Sequence, residues 1–355
     1  MRRLAILGTR GPGSAYGGFE TLANQLHVSA MASGLECEIL GFQLPNSNPS
    51  RTMRPSWMFS YLQTPLTTLI SAMSIRKTDY DAFLIVNPVN VFTALLITRF
   101  GKPVLLHLDG RDDLRKKWGP LSRLVIRTSR IVACRSRLNL IVDSHHLVEW
   151  YRETHSRTVQ LHLYGGCPIA ERKPSHRWGP NDAGHLLVVA RPEPENQTLE
   201  ICRAFLNSSN PLTLVVVGAP VAGTSYWKEI QRTVQGSPRI SLTGLISDRT
   251  KRCKLYVGSR AVIHGHTVGG TNPSLVDALS HGCPVLAHDN PFNREVAGRG
   301  ALYWKTEDEL VHLLNDDSLV YPQVDPDQFI KKYNWADVTK RYFRALGLDV
   351  ESQRS

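Results

Sequence analysis

Apolar positions along the chain fall into short, nearly unbroken runs, separated by stretches where they recur every three or four residues. The first pattern suits strands buried on both faces and the second suits helices packed on one side. "LAIL" (4–7), "CEILGF" (37–42), "AFLIVNP" (82–88), "PVLLHLD" (103–109) and "LNLIVDS" (138–144) therefore read as the parallel strands of one sheet. A second set comprises "HLLVVAR" (185–191), "LTLVVVG" (212–218), "RISLTG" (239–244), "RAVIHGH" (260–266) and "CPVLAHD" (283–289). Between them "CPIAERKPSHRWGPNDAG" (167–184) has three prolines and no apolar period, which marks a linker. The pattern predicts an α/β chain of two tandem Rossmann-like, doubly wound parallel sheets facing each other across a cleft. The predicted boundaries are 1–166, a linker at 167–184, a second domain at 185–330, and a C-terminal helix and tail at 331–355, with "WADVTKRYFRAL" (335–346) as the helix.

Composition fits this picture. A chain of 355 residues suits two domains, and 42% apolar with 21% charged residues describes an ordinary globular protein. Six scattered cysteines contain no CxxC pair, which argues for reduced thiols over a zinc site or disulfide framework. The apolar run after Met1 is too short for a secretory signal, and residues 83–106 are interrupted by Asn87, Pro88, Asn90, Arg99 and Lys102, so no membrane span is predicted. A cytoplasmic location follows.

The net charge of +11 is unevenly placed: residues 1–170 hold 20 Lys/Arg against 11 Asp/Glu, and residues 171–355 hold 22 against 20. Segment 111–137 alone has nine basic and two acidic residues, with Leu114, Trp118, Leu121, Leu124, Val125 and Ile131 at roughly helical spacing. A basic amphipathic helix of this kind suits an anionic membrane surface. Nucleic acid is the competing partner and a solvated surface helix the plain alternative; the lack of interleaved aromatics beyond Trp118 argues against nucleic acid.

In doubly wound sheets ligands bind beyond the carboxyl ends of the strands, so the polar residues there are the candidates. The first strand enters "GTRGPGSAYGGFET", where Arg10 offers a cation and Gly17 and Gly18 precede a helix start suited to an anion. The spacing is not that of a dinucleotide fingerprint. The fourth strand ends in "LLHLDGRDD", whose His107 and Asp109 point to one side and can orient hydroxyls, accept a proton, or simply cap the loop. Arg191, in "VVARPEPENQT", is placed to hold phosphate oxygens or to pair with Glu193 and Glu195. In "HGHTVGGTNPSLVDALSHGCPVLAHDNPFNREV" (264–296), Asn272 is a helix cap, Pro273 a first helical residue, and Gly269, Gly270, Thr271 and Asn272 bring free amides and the helix dipole to an anion. Asp277, a turn later, is placed for a ribose hydroxyl or for the dipole; His266, nearer the loop than His264, is the functional member of the histidine pair. "DYD" (79–81) and "DPD" (325–327) sit in ordinary loop contexts, and no metal or other cofactor is predicted.

These motifs resemble those of GT-B glycosyltransferases, specifically retaining glycosyltransferase family 4. "GTRGPGSAYGGFET", "VARPEPEN", "HGHTVGGTNPSLVDAL" and "AHDNPFNREV" are similar to the rhamnosyltransferase-type subgroup of bacterial polysaccharide assembly. The resemblance covers nearly the whole chain. It implies a nucleotide-sugar donor held mainly by the C-terminal domain, a lipid-linked glycan acceptor at the N-terminal domain, no metal, and retention of configuration. L-rhamnose from dTDP-rhamnose is the implied transfer, at the inner face of a cell membrane. His107, Asp109, Arg191 and His266 are then the expected catalytic residues, and Arg10, Gly17, Gly18, Gly269–Asn272 and Asp277 the donor-binding ones. Three positions depart from the wider family: Gly269 and Asp277 stand where it has two glutamates, and Asn196 where a phosphate-binding lysine often follows the arginine. A catalytically silent binding subunit and a sugar-nucleotide epimerase of the same shape are the alternative readings.

Overall fold

The computed structural model describes residues 1–9, 17–41, 60–166, 184–219, 223–316 and 318–348. Arg10 and nearly all of the predicted linker lie outside the described residues. The chain forms two compact units: one comprises Met1–Leu114, Trp118–Tyr164 and Trp335–Ser355, the other Arg115–Lys117 and Gly165–Asn334.

The first unit runs β1 (Arg3–Leu7), α1 (Gly18–Ala32), β2 (Glu36–Leu40), α2 (Ser60–Met73), β3 (Ala82–Val86), α3 (Val91–Ile97), β4 (Val104–His107), α4 (Pro120–Arg135), β5 (Asn139–Val142), α5 (His145–His155) and β6 (Gln160–Leu161). All its strands are parallel, in the order β2-β1-β3-β4-β5-β6. The second unit follows with β7 (His185–Val189), α6 (Thr198–Asn207), β8 (Thr213–Val217), α7 (Ser225–Val234), β9 (Ile240–Gly244), α8 (Arg249–Val257), β10 (Ser259–His264), α9 (Pro273–Ser280), β11 (Val285–His288), α10 (Pro291–Ala297), β12 (Leu302–Trp304), α11 (Glu307–Asn315) and α12 (Pro326–Lys332). Its sheet is also parallel, ordered β12-β11-β10-β7-β8-β9. A last helix, α13 (Trp335–Ala345), returns to the first unit. Val338, Tyr342 and Phe343 of α13 join the core of Leu4, Ile6, Leu22, Leu26 and Leu84. The ten expected strands are present; the sixth strand of each sheet, β6 and β12, is too short to leave an apolar run.

Helix starts follow local chemistry. Ser144, Thr224, Asp248, Asn272, Asn290 and Thr306 each accept a first-turn amide with their side chains, the ordinary way of satisfying those donors. The carboxylates of "DYD" and "DPD" have similar tasks. Asp325 caps α12 by accepting from Asp327 N, while Asp81 accepts from Arg3 N and pairs with Lys102.

Segment 111–137 is not one amphipathic helix. Gly119 and Pro120 begin α4, and the residues before it form a 3-10 turn at Asp112–Leu114 and a loop. Arg111, Arg127 and Arg130 all converge on Asp113, which is 1% exposed; against the opposing cost of burial, Arg130 and Arg111 hold its carboxyl well below the usual carboxylate range. Arg111 and Arg130 also lie over the ring of Trp150, at 4.0 and 4.9 Å. The buried face of α4 carries Ser122, Ser129 and Arg130 beside Ile126 and Ala133, whereas Leu121, Leu124 and Ile131 are exposed. Its amphipathic sense is therefore inverted over part of its surface, because a buried carboxylate draws cations inward.

Asp113→Ala leaves Arg130 buried without its counter-charge, and a loss of about 3–5 kcal/mol in unfolding free energy is expected. Arg127→Ala, at a side chain more than half exposed, should cost no more than about 1 kcal/mol. Urea denaturation of the two variants measures the difference.

Candidate functional site

In the first unit, β4 delivers His107 at its carboxyl end, buried among Phe19 and Tyr342. Asp109 adopts φ 58°, an uncommon left-handed conformation, and this turn brings its own backbone N–H onto His107 Nδ1 at 3.1 Å. The backbone amide can only donate, so Nδ1 is the acceptor and the ring proton of neutral His107 sits on Nε2. Burial pushes the His107 pKa down to about 4, opposed in part by Asp109. With Nδ1 engaged by a backbone N–H, this neutral imidazole presents an N–H donor at Nε2. It suits the alternative of orienting an oxygen. The expected anion site at Gly17 and Gly18 is corrected, because the Glu20 carboxylate folds back to the space where a Cβ on Gly17 would project. The start of α1 already has its negative charge.

In the second unit the strand order reverses direction between β7 and β10, and in doubly wound sheets ligands bind beyond the carboxyl ends of the strands at such a switch point. The loops there are Arg191–Asn196 and Gly265–Asn272. They are tied together: Thr267 donates both its amide and its hydroxyl to Glu195 O, at 2.8 and 3.0 Å. A Cβ on Gly265 would strike Asn196 O, so only glycine permits this approach. From the far side, Asn290 and Asn293 each donate an amide to His266 O, at 2.8 and 3.0 Å.

The candidate residues are arranged around this junction. Arg191 is partly exposed and lies 3.6 Å from Glu193, so the ion pair weighed in the sequence is formed. Lys117 reaches the same carboxylate at 3.1 Å and Glu195 at 3.5 Å. His266, 8% exposed, hydrogen-bonds Asn196 Oδ1 through Nδ1 at 2.6 Å. Its pKa is held well below the ordinary value, first by burial and then by the nearby charge of Arg115, with His264, Arg191 and Lys117 adding to the effect. His264 is fully buried beneath it and neutral for the same reason.

The glycine loop and α9 are as expected in outline and different in detail. Asn272 caps α9, but its Oδ1 accepts from Ser274 N and its carbonyl accepts from Leu275 and Val276. The first-turn amides of the helix are therefore occupied, and Pro273 has none. The amides that remain are those of the buried Gly269 and Gly270, which donate to no group among the described residues. Thr271 is 5% exposed, and Asn272 and Asp277 are half-buried. The structure thus brings Arg191, His266 and the 269–272 loop together in the second unit, while His107, Asp109, Gly17 and Gly18 belong to the first.

Sequence reasoning missed Arg115, Lys117, Asn290 and Asn293 as shapers of this site. Arg115 and Lys117 were absorbed into the basic helix, yet the Gly119-Pro120 pair that starts α4 leaves them in a loop. Asn290 and Asn293 carry the spacing of an N-cap and its first turn, which signals a helix start but not what else the amides hold.

Two six-stranded parallel sheets flanked by helices define the two-domain α/β GT-B fold, and the solved structures similar to this chain have it. HepE of Anabaena in complex with UDP-glucose has a TM-score of 0.72 at 14% identity, over 98% of this chain and 99% of that one. Sucrose-phosphate synthase from Thermosynechococcus elongatus has a TM-score of 0.69 at 12% identity, over 99% and 96%. The lipopolysaccharide outer core galactosyltransferase WaaB in its apo form has a TM-score of 0.63 at 14% identity, over 98% and 99%. No family model matches the chain, and no curated protein matches it.

Buried neutral histidines make the fold sensitive to acid. His107, His162 and His264 have pKa values pushed down from 6.5 to about 4, each mainly by burial. Below pH 6.5 the unfolded chain binds protons that the fold refuses, so stability falls as the pH is lowered toward 4, by on the order of 3 kcal/mol for each residue. Urea midpoints should drop steeply between pH 7 and pH 4.5; a flat profile there contradicts the neutral assignment.

Proposed function

We propose that the protein is a glycosyltransferase that moves a hexosyl group from a nucleotide-sugar donor to a lipid-linked glycan. The observation that carries this reading is the β7–β10 switch point, where the buried amides of Gly269 and Gly270, which donate to no group among the described residues, adjoin a neutral histidine near Arg115, Lys117 and Arg191. Arg191 and Lys117 share the Glu193 carboxylate, and their guanidinium and ammonium groups beside the loop amides suit an anion with several oxygens. A diphosphate fits that requirement: the guanidinium of Arg191 and the loop amides stabilise charge as it grows on the leaving group. Solved structures of similar fold were obtained with UDP and UDP-glucose, which supports the same donor class.

L-rhamnose, carried by dTDP, is the donor we favour, on the resemblance of the "HGHTVGGTNPSLVDAL" and "AHDNPFNREV" motifs to the rhamnosyltransferase-type subgroup, and retention is proposed on the same ground. No metal enters the mechanism. Asp277, in the second turn of α9, is assigned to the ribose, and His107 with Asp109 to the sugar and acceptor.

The membrane partner rests on α4. Leu121, Leu124, Ile131 and Arg135 lie at spacings that share one helix face, and all four are exposed. An outward apolar stripe with cations beside it suits the surface of an anionic bilayer at the cytoplasmic side. No helix among the described residues is long and apolar enough to cross a membrane. The five described cysteines are free and buried, in keeping with a reducing compartment.

Thermal unfolding in the presence of dTDP, UDP, GDP and ADP, and of dTDP-rhamnose and UDP-glucose, tests the donor. A ligand at a hundred times its Kd adds about 2.7 kcal/mol, so the accepted nucleotide should raise Tm by several degrees. Arg191→Ala should lower kcat for transfer on the order of 10²- to 10³-fold with the fold retained. A chain that none of these nucleotides stabilises is not a nucleotide-sugar enzyme, and binding without turnover on any acceptor marks a silent subunit.

Flotation with vesicles tests the membrane face. The protein should float with phosphatidylglycerol vesicles and not with phosphatidylcholine alone, and the pair Leu121→Glu, Leu124→Glu should abolish it. Both positions are in the exposed first turns of α4, where acidic residues favour the helix dipole, so the fold should survive.

A further inference from the structure

We propose that Asn196 is a positioning residue that locks His266 with its proton on Nδ1, so that the bare Nε2 receives a hydroxyl of the hexose carried by the nucleoside diphosphate. The inference rests on the donor reading above and specifies how the sugar is selected. Asn196 Nδ2 lies 2.8 Å from the carbonyl oxygen of Arg191. A carbonyl only accepts, so the amide nitrogen must face it and Oδ1 must face His266 Nδ1, 2.6 Å away. Oδ1 likewise only accepts, so Nδ1 carries the hydrogen. A neutral imidazole has one N–H, and Nε2 is left with its lone pair.

Three further observations aim that lone pair at a ligand. Nε2 makes no hydrogen bond among the described residues. It lies 2.8 Å from where a Cβ on Gly269 would project, and Gly269 has φ +149°, so any other residue there would be strained and would cover the nitrogen. Asn290 and Asn293 fix the His266 backbone through its carbonyl oxygen, and the Nδ1 bond to Asn196 fixes the ring. A lone pair repels phosphate oxygens, which are also acceptors. The diphosphate therefore belongs with the cations and the Gly269–Gly270 amides, and the group on Nε2 must donate. Of the non-phosphate donors of a nucleotide sugar, the ribose hydroxyls are assigned to Asp277, and we assign a hexose hydroxyl to Nε2. With its basicity suppressed by burial and cations, His266 serves as an acceptor and not as a general base.

The tautomer is read on the protein alone, from long-range ¹⁵N–¹H correlations of labelled histidine. The unaltered protein should show His266 protonated at Nδ1 and bare at Nε2, unchanged from pH 8 to 6, and Asn196→Leu should lose that single pattern. Proton at Nε2 in the unaltered protein overturns the relay. Calorimetric titration with dTDP and dTDP-rhamnose, and with UDP and UDP-glucose, then reads the sugar. Asn196→Leu should leave the nucleoside diphosphate affinity within twofold and cut the extra affinity conferred by the hexose roughly tenfold, the size of one neutral hydrogen bond. Asn196→Asp should raise the His266 pKa, so that sugar-nucleotide affinity falls as pH is lowered from 8 to 6 while that of the unaltered protein stays flat. Equal losses for the diphosphate and its sugar conjugate overturn the hexose assignment. If none of the four compounds binds the unaltered protein, the donor reading fails, and the spectrum still decides the relay by itself.

Discussion

The backbone approach of Gly265 to the carbonyl of Asn196 is the constraint on which the second unit's site depends. It brings the loop after β7 within hydrogen-bonding range of the loop after β10, and Thr267 closes the junction with two bonds to Glu195 O. Once this contact exists, the Asn196 side chain spans from Arg191 O to His266 Nδ1, with Glu193 paired to Arg191 beside them. A side chain at position 265 would part the two loops. Nothing downstream, neither the fixed imidazole nor the buried loop amides, would then lie together.

The two units handle buried charge differently, and the difference separates structure from function. Around Asp113 three guanidiniums serve one carboxylate, two of them also stacked on Trp150, and the carboxylate is saturated with hydrogen bonds. Such a cluster is complete without a ligand. Around Glu193 and Glu195 the balance is looser. Glu195 is buried with both oxygens lacking hydrogen-bond partners and only a 3.5 Å ion pair to Lys117. Leaving a buried carboxylate so poorly satisfied is costly, and the neighbouring cations are what make it tolerable. An arrangement that is electrostatically under-determined in this way can admit an anion, whereas the Asp113 cluster has no position left for one.

Much of this was legible in the chain itself, for reasons that differ by element. Runs such as "HLLVVAR" and "RAVIHGH" are buried on both faces, so apolarity alone marks them, whereas β6 and β12 are edge strands of two and three residues with no such mark. The Asn272-Pro273 start of α9 was readable because capping is local chemistry. What the amides of that helix do was not, since the same Asn that caps the helix consumes the amides a ligand would need. The basic segment misled because charge along a sequence does not show where a counter-charge lies. Asp113 draws Arg111, Arg127 and Arg130 inward, and Arg115 and Lys117 go to the other unit. Asn196, noted only as a missing lysine, has its meaning in a partner seventy positions away.

His107 and His266 show how a backbone can set the polarity of one side-chain type in opposite senses. Each lies at or just past the carboxyl end of a parallel strand, each is buried, and each is neutral. At His107 the partner of Nδ1 is a backbone N–H, offered by the left-handed turn at Asp109, and the ring must present a donor at Nε2. At His266 the partner is an amide oxygen, turned toward the ring because its nitrogen is committed to Arg191 O, and the ring must present an acceptor. Neither outcome depends on pH near neutrality, because burial keeps the second proton off both rings. Within each unit, then, the partner of Nδ1 alone decides whether the imidazole offers a donor or an acceptor, and it does so without a formal charge. That is a reason for using histidine where a carboxylate would serve only as an acceptor and would be neutralised by Arg115, Lys117 and Arg191.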